Sequence, residues 1–241
     1  GSNNVAVGHN AIFSNTTGTK NIAAGVDSLY SNTTTNNNVA LGFSALKFNT
    51  ANVNTAVGSE AFLANTTGTS NVGIGYKAGR FNTTGSNNTA SGYYALKFNT
   101  TASENTATGS SALRDNTTGV RNTAHGRSAL LSNTTGNDNV AFGRASLYSN
   151  TTGSSNTAVG KDAIYSNTSG ARNTAVGLRS LYTNTTGSNN TASGYYSLRV
   201  NVTGADNTAL GYRALRYNTA GSNTAVGANT MFSNTTGTLN T

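Results

Sequence analysis

The chain has no cysteine, no proline and no tryptophan, and only 9% of its 241 residues are charged. An ordinary domain carries about a quarter. The absence of cysteine excludes a disulfide framework and any thiolate metal site. No apolar run approaches the roughly 18 residues of a membrane-spanning helix. Acids are also scarce. Asp27, Glu60, Glu104, Asp115, Asp138, Asp162 and Asp206 are seven against fifteen lysines and arginines, for a net charge of +8. Histidine occurs twice, at His9 and His125.

Asparagine, threonine, glycine, serine and alanine fill most of the rest, and they recur in phase. Units open at Asn4, Asn21, Asn38, Asn54, Asn71, Asn88, Asn105, Asn122, Asn139, Asn156, Asn173, Asn190, Asn207 and Asn223, at a spacing of 17 with two steps of 16. Numbered from that asparagine, the consensus is N-T-A-V-G-x-x-A-L-x-x-N-T-T-G-x-x. Columns 1 and 12 are always Asn and column 5 is always Gly. Column 3 is Ala except at Gly73, and column 9 is large and apolar except at Gly79. A strict repeat with a fixed apolar position argues against disorder.

A 17-residue unit is too short for a helix pair and misses the leucine-rich period. Recurrent β-branched residues and a glycine every few positions disfavour helix. The pattern predicts an all-β, parallel β-solenoid of about 14 coils. Each coil is expected to hold two short strands, at columns 2–5 and 7–11, joined by turns at 5–7 and 12–17. The array spans 1–241 and, opening and closing in mid-pattern, is expected to be a piece of a longer fibre protein.

Equivalent residues then stack about 4.8 Å apart. Identical asparagines at that spacing can form amide ladders. Asn4, Asn21, Asn156 and Asn173 represent the column 1 ladder, and Asn15, Asn32, Asn167 and Asn184 that of column 12. Gly8, Gly25, Gly160 and Gly177 supply positive φ or a close neighbour in column 5. Alanine in column 3 and leucine in column 9 make a thin core. Column 4 is too varied for such a core and is expected to face solvent or a second subunit.

Catalysis is not expected. The two histidines fall in different columns, seven units apart, and no two acids share a coil. A calcium solenoid would repeat Asp in every coil, so neither a metal nor a cofactor is expected. The basic residues scatter over columns 6, 7, 10 and 17 and read first as a solvated face, with no specific nucleic-acid site. A sharper reading is a salt-sensitive attraction to acidic cell surfaces. Tyr93, Tyr94, Tyr195, Tyr196, Tyr212 and Arg213 are the candidate surface-binding residues, either stacking on sugar rings or packing across coils. The file of "TT" pairs in columns 13 and 14 suggests ice binding as an alternative. Adjacent threonines point to opposite sides, however, and turn hydrogen bonding is the simpler reading. "NTT" is also a glycosylation sequon.

The units "NTAVGKDA", "NVAVGHNA" and "NTALGYRA" resemble the head repeats of trimeric autotransporter adhesins and the Asn/Thr/Gly-rich arrays of bacterial surface proteins and phage-type tail fibres. The resemblance covers the whole chain. It implies a left-handed β-roll, a homotrimer, and an extracellular role in attachment to a surface glycan or other receptor. The unit here is longer than the usual adhesin head repeat by an "NTTG" turn.

Overall fold

The structure is a computed structural model and describes all 241 residues. The chain is an all-β parallel solenoid without a helix, and it divides into two compact units, Gly1–Arg121 and Asn122–Thr241. Each unit holds seven coils. In the first, one strand per coil gives β1 (Val5–Val7), β2 (Ile22–Ala24), β3 (Val39–Leu41), β4 (Thr55–Val57), β5 (Val72–Ile74), β6 (Thr89–Ser91) and β7 (Thr106–Thr108). In the second they are β8 (Thr123–His125), β9 (Val140–Phe142), β10 (Thr157–Val159), β11 (Thr174–Val176), β12 (Thr191–Ser193), β13 (Thr208–Leu210) and β15 (Thr224–Val226). Two further pieces, β14 (Tyr217–Asn218) and β16 (Ser233–Asn234), pair near the end of the second unit.

Within each unit the strands pair in parallel and in register with the repeat: Ala6 lies opposite Ala23, and Ala158 opposite Ala175. Column 3 points inward and its alanines are buried from Ala23 onward, while columns 2 and 4 point out. The strand stops at column 5, where glycine takes a φ of 121 to 139°. A side chain is excluded there on two counts. At Gly160 φ is +127°, and a Cβ would stand 2.7 Å from the carbonyl oxygen of Gly177 in the next coil. Gly160→Ala is therefore expected to destabilise by at least about 1–3 kcal/mol from the backbone conformation alone, read as a shift of the chemical denaturation midpoint.

The expected second strand over columns 7–11 is not formed. Nearly every coil runs through a chain of turns there. Column 7 is left-handed (Asp162, φ 56°) and so is column 9 (Ile164, φ 46°). Local bonds close each turn: Ala163 N donates to Gly160 O, and in the preceding coil Asn150 N donates to Leu147 O. The remaining amides bond to neighbouring coils as a ladder would, with Ile164 N donating to Ser180 O and Asp162 N to Arg144 O. Inter-coil bonding thus survives without extended backbone. A bulky leucine at positive φ is costly and rare. Its burial in column 9, repeated through most coils, holds it there: Leu29, Leu113 and Leu181 are fully buried.

The interior has two layers. Columns 3, 8 and 9 form the apolar one. Column 8 adds an Ala or Ser per coil (Thr230 in the last), and a buried serine such as Ser180 donates its hydroxyl to the column 5 carbonyl of its own coil. The second layer is asparagine. From Asn21 to Asn223 the column 1 side chains are wholly buried, as are those of column 12 from Asn32 to Asn218. They lie inside the coil rather than on an exposed turn.

Candidate functional site

The ladder residues carry the architecture. In column 1, Asn156 Oδ1 accepts from the backbone N of Asn173 at 3.0 Å, and Asn4 Oδ1 accepts from Asn21 N at 2.9 Å. In column 12, Asn184 Nδ2 donates to Asn167 Oδ1 at 2.9 Å, and Asn32 Nδ2 to Asn15 Oδ1 at 3.2 Å. The two columns meet on the column 15 carbonyl. Gly170 O accepts from Asn156 Nδ2 and Asn167 Nδ2, both at 2.9 Å. Every coil but the last is closed by such a pair of amides. Gly8, Gly25, Gly160 and Gly177 all sit at positive φ at the strand end.

Column 13 threonines are committed to the same framework. Thr151 Oγ1 donates to Thr168 O, and Thr168 Oγ1 to Thr185 O. Column 14 threonines are mostly exposed. Two parallel outward files do exist elsewhere, but only one of them, in the second unit, is threonine. Columns 2 and 4 flank the inward alanine, and in the second unit column 2 is Thr in every coil but one (Val140).

Of the candidate binding residues, Tyr93 and Tyr94 lie together in the first unit, with ring centroids 4.0 Å apart. Tyr76 stacks on Tyr93 at 5.5 Å, and Lys97 Nζ stands 4.4 Å from the Tyr94 centroid. In the second unit, Tyr195 contacts Tyr196 at 4.0 Å and Tyr212 at 5.5 Å, and Arg213 covers Tyr212. Stacking on a neighbouring coil occupies one face of Tyr93, Tyr195 and Tyr212, which stay exposed elsewhere, so a sugar ring has only a partial platform on them. What they offer is edges, hydroxyls and charge. The bond between the two hydroxyls holds Tyr195 above the ordinary tyrosine value and Tyr196 below it, with Arg179 lowering Tyr196 further. The Tyr93–Tyr94 pair behaves in the same way.

Two grooves accompany these clusters. The first unit has one of about 720 Å³, lined by Phe81, Phe98 and the column 13 threonines Thr83, Thr100 and Thr117. The second has one of about 370 Å³, lined by Arg127, Arg144, Asp162 and the stacked Tyr148, Tyr165 and Tyr182. This tyrosine file and its continuation through Arg199 and Arg216 in column 10 lie outside the residues singled out from the sequence. Reading column 10 as a continuous file would have found them.

No group of three histidine or acidic side chains is placed to hold a metal ion. His125 stacks on Phe142 at 4.7 Å. No helix is long and apolar enough to cross a membrane. Comparison with family models, with curated proteins and with solved structures finds no match.

Proposed function

We propose that the chain is a structural and adhesive segment of an extracellular fibre, assembled as a homotrimer on a bacterial surface or phage-like particle and devoid of catalytic activity. The observation that supports it most is the outer sheet face. Column 4 leaves apolar side chains open to water in both units: Val7 is 61% exposed, Ile74 47%, Phe142 46% and Val176 42%. A monomer rarely leaves so regular an apolar file uncovered, and a fibre buries such faces against copies of itself. The left-handed coil belongs to the same reading through the adhesin resemblance. Light scattering on a sizing column is expected to give about three times the 24.5 kDa chain mass. Val159→Lys with Val176→Lys is expected to dissociate the assembly. A wild-type monomer overturns the reading.

A second reading is favoured by the threonine file of column 2, which runs beside column 4 with one inward alanine between them. Such a face in a monomer is suited to ice. Thermal hysteresis in the wild type, lost on Thr174→Lys, is the result that would replace the fibre reading with this one.

A further inference from the structure

The basic residues of the two units differ in their partners. In the first unit, Asp27 holds Lys47, Glu60 holds Lys77 and Arg80, and Asp115 holds Arg114. In the second, columns 6, 7 and 10 carry seven bases and a single acid, Asp162, and that acid is engaged by Arg179 at 3.3 Å. Arg144, Lys161, Arg199, Arg213 and Arg216 have no carboxylate within ion-pair distance. The three last crowd one place. Arg199 and Arg216 lie 5.1 and 5.3 Å from the centroid of Tyr196, and Arg213 N donates to Tyr195 O in the adjoining coil. The Nε atoms of all three are buried without a hydrogen-bond partner, yet each residue keeps part of its surface exposed. Rings hold the guanidiniums in place, and nothing neutralises them.

We propose that this strip of the second unit, centred on Arg199, Arg213 and Arg216, binds a linear acidic polysaccharide bearing carboxylate or sulfate groups. The inference gives a ligand class to the adhesive surface and rests on that reading for its biological setting. Guanidinium groups match carboxylate and sulfate oxygens in pairs. Successive coils present a base about every 4.8 Å along the stack, a step comparable to the length of one sugar ring. The tyrosine file adjoins the strip at Tyr182, whose ring lies 5.7 Å from Arg199, and adds edges and hydroxyls suited to sugar hydroxyls. A nucleic acid fits less well, because single strands are held by aromatic faces open to the bases, and here the rings stack on one another or lie beside guanidiniums.

The test measures binding of the full chain to polygalacturonate, dextran sulfate, uncharged dextran and an oligothymidylate at physiological salt. Binding to either charged glycan and not to dextran is expected, and the better of the two identifies the acid group. Arg199→Gln/Arg213→Gln/Arg216→Gln is expected to weaken it about tenfold or more. Removing equal charge elsewhere, in Lys20→Gln/Lys47→Gln/Arg172→Gln, is expected to change it less than about twofold. The all-lysine variant at the same three positions keeps the charge and so guards against a folding defect. It should retain folding and bind with intermediate affinity. Equal losses in the two glutamine variants, preference for the oligonucleotide, or no binding to either charged glycan overturns the proposal. The fibre reading is read separately, by the mass in solution: a trimer that ignores acidic glycans sinks only the site, and a monomer that binds them sinks only the fibre.

Discussion

Exchanging Asn173 for aspartate is expected to destabilise the second unit by about 3–5 kcal/mol at neutral pH, the range for an uncompensated buried charge. Asn173 is fully buried, and its amide works in both directions. Its Nδ2 donates to Asn156 Oδ1 and Gly187 O, and its Oδ1 accepts from both nitrogens of Asn190. A carboxylate keeps the acceptor but turns its second oxygen on two other oxygens. Protonation restores a donor, so the folded state holds this carboxyl above its unfolded value of about 3.9. The sign follows from linkage. Between the unfolded and the raised folded value the native state binds more protons, so stability falls as pH rises through that window and returns as pH falls toward 4. Chemical denaturation of the variant and wild type at pH 4 and pH 7 checks it; an equal difference at both pH values would refute the charge argument. Asn173→Ala has a smaller, pH-independent cost of about 1–3 kcal/mol plus a cavity. Gly187 O keeps Asn184 Nδ2 and Asn190 Nδ2 keeps Gly204 O, so only the Asn190 backbone N–H is stranded.

Gly79→Leu, which restores the consensus residue of column 9, is expected to destabilise the first unit by about 3 kcal/mol, the upper end of overpacking. Backbone conformation is not the obstacle. Gly79 has φ +60°, and leucines elsewhere in the column sit at 48 to 51°. The obstacle is Phe62 of the preceding coil, whose fully buried ring would stand 2.6 Å from a Cβ at Gly79 and 2.5 Å from one at Gly73. One oversized side chain is accommodated by two glycines in the next coil. Phe62→Leu alone leaves a void and is expected to cost roughly 1–2 kcal/mol, less than the 3–5 of a Phe→Ala change. The combination Phe62→Leu/Gly73→Ala/Gly79→Leu refills the space and is expected to match or exceed wild-type stability. The resulting coupling, above about 2 kcal/mol in a mutant cycle, is far outside the range for independent sites. Additive single and triple variants would show that the three positions do not share a cavity.

The two exceptions to the repeat, Gly73 and Gly79, were visible in the sequence as irregularities, and their common cause in Phe62 was not. A sequence gives the column of each residue but not which neighbouring side chain invades it. The candidate site was legible to a similar degree. Tyr195, Tyr196, Tyr212 and Arg213 do come together. Their rings prove to stack on one another, and the unpaired Arg199 and Arg216 beside them depend on which acids reach which coil, a matter of side-chain length and direction.

Period, coil number and inward columns were set by the sequence itself. A residue repeated every 17 positions has to meet its own copy when coils stack in parallel, and small or apolar columns have to turn away from water. Tertiary structure alone decided the conformation of columns 7–11. Local preference reads "SLYTN" as strand. Packing overrides it, because a leucine held at positive φ fills the interior while its amide still reaches the next coil. The same closure carried Asn156 and Asn173 from the turns, where their chemistry alone would put them, into a buried layer sealed on a single carbonyl per coil.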